Sequence, residues 1–181
     1  MAVYAAGQVV NSAELNTGTG QVDQTAFTVS VTALTQASKL WDIPALSTTG
    51  GSSFRLTVIG KFVFGTTAVG NNWYMGWGPS GATQTEIVQA SSSNYTASTT
   101  MHFTVIMHLV VNVGGASGSA SLFGTMASGD TGSDSITWTN GAIQSAFNTT
   151  VDNGMMFLYG WAAITGGPVL TSYFSIFERL S

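Results

Sequence analysis

From His102 to Val113 apolar residues recur at every second position, the period of a strand with one buried face. Phe103, Val105, Met107, Leu109, Val111 and Val113 make a wholly apolar face, and His102, Thr104, Ile106, His108, Val110 and Asn112 a mixed one. Val and Ile favour this geometry because branching at Cβ suits a pleated backbone. Gly114, Gly115, Ala116, Ser117 and Gly118 then turn the chain, and Ser119 to Met126 returns with Ala120, Leu122, Gly124 and Met126 on one face. The stretch from Met101 to Met126 therefore predicts a central hairpin with a core face and a second, semi-apolar face.

The flanking segments follow the same period. Strands are expected at Ala26–Ala33, at Ser38–Ile43 stopped by Pro44, and at Ser53–Gly65. In the last, Phe54, Leu56, Val58, Phe62 and Phe64 share a face, and Gly60 leaves a gap for close packing or a bulge. Arg55, Thr57, Ile59, Lys61 and Val63 share the other. Further strands are expected at Trp73–Gly78, Gln84–Ala90, Ser135–Thr139, Met155–Ile164 and Val169–Leu180, with a weaker one at Phe147–Val151. Asn140-Gly141 and Asn153-Gly154 are read as turns. Eight to ten short strands and no long helix predict an all-β, two-sheet antiparallel sandwich, with the jelly roll as the leading architecture.

The first 22 residues differ. Asn11 can cap a helical turn and Glu14 can reach back to its amide, before Thr17-Gly18-Thr19-Gly20 ends it. The expected organisation is an N-terminal arm over 1–22 and a sandwich domain over 23–181.

Composition narrows the function. Only 7% of residues are charged while 44% are hydrophobic, against the usual quarter charged in a soluble domain. Polarity comes instead from Ser, Thr, Asn, Gln and 22 Gly. So few charges point to burial in an oligomer or larger assembly. The four cations, Lys39, Arg55, Lys61 and Arg179, form no cluster in a chain of net charge −4, which argues against phosphate-backbone binding to nucleic acid. The absence of cysteine removes disulfides and thiolate chemistry. No segment is apolar enough to insert in a membrane, and the first residues lack the pattern of a signal peptide.

No catalytic motif emerges, and neither an enzymatic activity nor a cofactor is expected. His102 and His108 share a face but stand six residues apart, about 20 Å at strand rise, too far to share a metal. Asp130, Asp134 and Asp152 fall between late strands, where turn chemistry explains them as well as an ion does. Asn72, Trp73 and Tyr95 are candidate glycan contacts, aromatic platforms with amide neighbours, although core packing is the stronger reading of Trp73.

One motif carries a resemblance. Ala6-Gly7-Gln8-Val9-Val10-Asn11-Ser12-Ala13-Glu14-Leu15-Asn16 resembles the opening A-G-x-V-[LV]-x-[AS]-A-x-[LM]-N of many small virion proteins of tailed bacteriophages. Tyr173-Phe174-Ser175-Ile176-Phe177-Glu178-Arg179-Leu180 is similar to the last strand of phage jelly rolls of the tumour-necrosis-factor and C1q type. The resemblance implies a non-enzymatic accessory component at the particle surface, assembled in the host cytoplasm and often trimeric. Its partners would be further copies of itself and either the major capsid protein or tail proteins. Ile59, Val63, Ile106 and Val110 are then candidates for the contact between copies, and Val9, Val10 and Leu15 for the anchoring arm. Capsid decoration is the first expectation. A tail fibre or receptor-binding head whose loops recognise host glycans is the second, and a small β-sandwich hydrolase the third.

Overall fold

A computed structural model describes residues 20–45, 48–66, 70–88, 100–129 and 136–181. Among these the strands, in chain order, are β1 (Gln21–Asp23), β2 (Phe27–Val29), β3 (Thr35–Gln36), β4 (Trp41–Ile43), β5 (Ser53–Val63), β6 (Asn71–Gly78), β7 (Thr83–Val88), β8 (Thr100–Val113), β9 (Ser119–Gly129), β10 (Ile136–Ala146), β11 (Asn153–Trp161) and β12 (Val169–Arg179). A single 3₁₀ turn, Pro79–Gly81, joins β6 to β7 among the described residues. All pairings are antiparallel. The larger sheet runs β1-β12-β5-β8-β9-β10, with β2 also on β12; the smaller runs β3-β11-β6-β7, with β4 also on β11. The fold is thus the all-β, two-sheet antiparallel sandwich that the alternating pattern predicts.

Alternation builds the core directly. Phe54, Leu56, Val58 and Phe62 of β5, with Met101 to Val111 at odd positions of β8, point inward and are buried. Ala120, Leu122 and Met126 continue that layer on β9. The smaller sheet answers with Trp73, Met75 and Trp77 from β6 and Met155, Phe157, Tyr159 and Trp161 from β11. Trp73 is the hub: its ring lies 4.8 Å from Tyr159, 5.2 Å from Phe103 and 5.3 Å from Phe157, centroid to centroid. Most of these contacts are edge-to-face, the arrangement that ring quadrupoles favour.

Four hydrogen bonds to buried groups tie the sandwich together. The Trp161 indole N–H donates to the Val29 carbonyl at 3.0 Å, and the Trp41 indole to Ser175 Oγ at 3.1 Å. Ser172 Oγ donates to the Ala37 carbonyl, and Ser38 Oγ accepts from the Phe157 amide. The last two bonds hold residues 37–38, between β3 and β4 of the smaller sheet, against β11 and β12. Replacing Trp161 by Phe keeps a ring but leaves the Val29 carbonyl without its indole donor. The expected loss is about 1–3 kcal/mol, read as a lowered urea midpoint at unchanged m-value.

Several expectations change in detail. Asn140-Gly141 does not reverse the chain; it lies within β10, at a register irregularity between Asn140 and Ile143. Asn153-Gly154 opens β11 instead of preceding it. Phe147–Val151 is a turn, because the Asn148 side chain accepts from the Thr150 amide at 2.8 Å and from its hydroxyl, a local bond that competes with strand pairing. The strand expected at Ala26–Ala33 stops at Val29. Val113, placed with the core by parity, is 57% exposed, since a bulge between Val111 and Val113 breaks the alternation. Gln21 and Val22, assigned to the arm, belong to β1 and pair with Phe177 and Ile176.

Candidate interaction face

The two sheets differ in what covers their outer faces. On the smaller sheet Leu40 lies against Gly154 and Gly81, and Leu34 against Gly160. Leu34 ends the crossing from the larger sheet and Leu40 lies between β3 and β4; both fill space left by glycine. Leu158, which points outward there, is only 4% exposed as a result. The larger sheet has no such covering among the described residues.

Antiparallel register sets out its outer face in rows. Val22, Ile176, Thr57, Ile106 and Thr125 stand side by side on β1, β12, β5, β8 and β9. The next row is Phe174, Ile59, Thr104 and Ala127, and on the other side come Glu178, Arg55, His108 and Phe123. Ser53, Val110 and Ser121 continue it. Aliphatic and aromatic groups thus alternate with Thr and Ser across a broad surface. Val22 is 56% exposed; Ile59, Ile106, Val110, Phe123, Phe174 and Ile176 are half-buried. A bulge between Ser172 and Phe174 turns two consecutive aromatics, Tyr173 and Phe174, away from the core. Lys61 Nζ stands 6.0 Å from the Tyr173 ring centre.

Charge on this face is sparse, and Arg55 and Glu178 form an ion pair. Arg55 Nε donates to Glu178 Oε2 at 2.7 Å. Beside it the His108 imidazole lies flat on Phe123, with centroids 4.6 Å apart and 6° between planes. Burial holds the His108 pKa below its ordinary 6.5, and the neighbouring Arg55 charge acts the same way against a weaker opposing pull from Glu178. A shallow depression of about 290 Å³ opens nearby, lined by Ile59, His102, Thr104, Ala127 and Gly129.

The residues singled out from sequence separate clearly. Ile59, Ile106 and Val110 come together on this face, and Val63, at the end of β5, is 36% exposed. Val9, Val10, Leu15, Tyr95, Asp130 and Asp134 lie outside the described residues. Trp73 is not a glycan platform: it is completely buried at the centre of the core, and Asn72 beside it is half-buried. Asp152 accepts a hydrogen bond from the Ala45 amide at 2.8 Å, a structural role. Among the described residues no group of three or more His, Asp or Glu could hold a metal ion, and no helix is long and apolar enough to cross a membrane. Phe123, Phe174, Ile176 and Val22 were not anticipated. Parity alone pointed to Phe123, opposite in phase to Leu122, but the bulge that exposes Phe174 leaves no mark in the sequence. Compared with protein-family models, curated proteins and solved structures, the chain matches none.

Proposed function

We propose that this is a non-enzymatic structural protein of a tailed-phage virion, a capsid decoration protein that self-associates through the outer face of its larger sheet. The virion assignment rests on the motif over Ala6–Asn16. The observation that carries self-association is that face. Five of its strands, each about ten residues or longer, span roughly 24 Å by 33 Å at standard strand spacing and rise, or about 800 Å². That is the area each partner buries in a standard stable interface, about 800 Å². Its apolar centre of Ile59, Ile106, Phe174 and Ile176, bordered by Thr and Ser, has the anatomy of such an interface. A second copy of this chain is the occupant that fits, because the face is close to neutral and a self-complementary patch needs no external partner of opposite charge.

Chain order supports a jelly roll. β2-β12-β5-β8 faces β4-β11-β6-β7, which is the strand order of two interlocked Greek keys, with β9 and β10 as a hairpin that widens one sheet. Widening enlarges the face on which copies would meet.

Two measurements test the reading. The copy number of the chain per purified particle, set against the major capsid protein, is expected to be comparable to the capsid subunit count. A few copies would place it on the tail, and absence from the particle would overturn the virion assignment. Ile106→Asp puts an unpaired carboxylate in the middle of the face. Light scattering is expected to show association weakened by at least roughly thirtyfold, equivalent to about 2 kcal/mol, at nearly unchanged melting temperature. An assembly that survives this substitution would remove the face from the interface.

A further inference from the structure

We infer that the assembly is acid-labile and that His108 is the group that senses the proton. The inference rests on the proposed self-association and adds its regulation. β8 is the middle strand of β12-β5-β8-β9-β10, so symmetric packing of the face brings His108 towards its counterparts in other copies. In the single chain the imidazole is half-buried, with Phe123 flat against one side and Arg55 paired with it across β5.

The charged and titratable groups that face it are few. On β5 there is Arg55, with Lys61 further along; on β12 there is Glu178, bound to Arg55. On β8 itself there is His102, six residues away and at the rim. The described outward side chains of β9 are Ser121, Phe123, Thr125 and Ala127, none of which titrates. Glu178 is already committed to the guanidinium, so no free carboxylate among these groups stands ready for an imidazolium.

A proton on His108 has two weak compensations in the separate chain, the face of the Phe123 ring and the partly spent charge of Glu178. Water supplies the rest. Covering the face removes that water and brings other copies of Arg55 and His108 nearer, and both changes disfavour the charged form. The separate chain therefore binds the proton more tightly than the assembly does. By linkage, association is at full strength above the pKa of His108 in the separate chain, which burial already holds below 6.5, and weakens as pH falls through that lower value. The subunit's own fold also loses some stability as His108 is protonated, because burial already disfavours the charge there.

The test is light scattering of the full chain at pH 7.5 and pH 5.5, with circular dichroism to confirm that it stays folded. The expected result is weaker association at pH 5.5 than at pH 7.5, by up to about tenfold for each pKa unit by which assembly lowers each His108. His108→Gln should abolish most of that loss, while His102→Gln should leave it intact. An assembly equally strong at both pH values, or equal acid loss in wild type and His108→Gln, would overturn the inference. A chain that is monomeric even at pH 7.5 would instead overturn the self-association it rests on. Should His108→Gln fail to fold, titration of the His108 imidazole C2 proton in the wild type serves in its place. A pKa lower at high protein concentration than at low supports the switch, and one independent of concentration refutes it.

Discussion

Trp73→Ala is expected to remove about 3–5 kcal/mol of stability, the range for deleting a buried large aromatic. The indole is fully buried and surrounded by Phe62, Phe103, Phe157 and Tyr159. Two of those rings come from the larger sheet and two from the smaller, so the cavity would open at the seam between layers. Neither sheet can collapse into it without breaking register with its own neighbours. For a chain of this length each kcal/mol shifts the midpoint by about 2–4 °C, so thermal unfolding should begin roughly 10 °C lower. Trp73→Phe, which retains most of the volume, should recover more than half of the loss. If Trp73→Ala unfolded like wild type, the hub would be wrongly placed.

Gly60→Val should be the other severe substitution. Gly60 sits in β5 with its missing side chain directed inward, opposite the bulge in β12. A Cβ there would run into the Thr171 carbonyl oxygen and would meet Phe103 Cζ at 2.7 Å and Ser172 Cα at 2.7 Å. Two of these three neighbours are backbone atoms and cannot swing aside. Overpacking a core costs about 1–3 kcal/mol when side chains can give way; here the sheet itself must shift, and the upper end or more is expected. Gly60→Ala already supplies the offending atom, so it should also destabilise. Equilibrium denaturation of the two variants checks this, and an Ala variant as stable as wild type would contradict the packing at that position.

What could be read from the sequence follows how far alternation runs unbroken. β8 keeps strict phase from Met101 to Val111, and its two faces were assigned correctly from residue types alone. β5 was equally plain, and Gly60 marked the close approach that the structure places there. Reading failed where local chemistry had two uses. Asn-Gly occurs at irregularities within strands as well as in turns, and Asn140 lies at one such irregularity. Trp73 and Tyr74 are adjacent aromatics of opposite phase; core packing was the stronger reading of Trp73, and its complete burial agrees. The outer face of the larger sheet was half visible. Ile59, Ile106 and Val110 were picked from the mixed faces of two strands, but their alignment with Phe174 and Ile176 depends on β12 lying beside β5. That neighbour relation joins residues more than a hundred positions apart, and it passes through a bulge that no local pattern announces.

The inward placement of the indoles has an optical consequence. Four of the five tryptophans, Trp41, Trp73, Trp77 and Trp161, lie in the core, and none of these four stands on the outer face of the larger sheet. Their emission reports whether the sandwich is closed and is nearly blind to what rests on its surface. With Trp138 of β10 replaced by Phe, intrinsic fluorescence and light scattering, recorded on one sample, would therefore follow two separate events, the opening of the subunit and the parting of its copies.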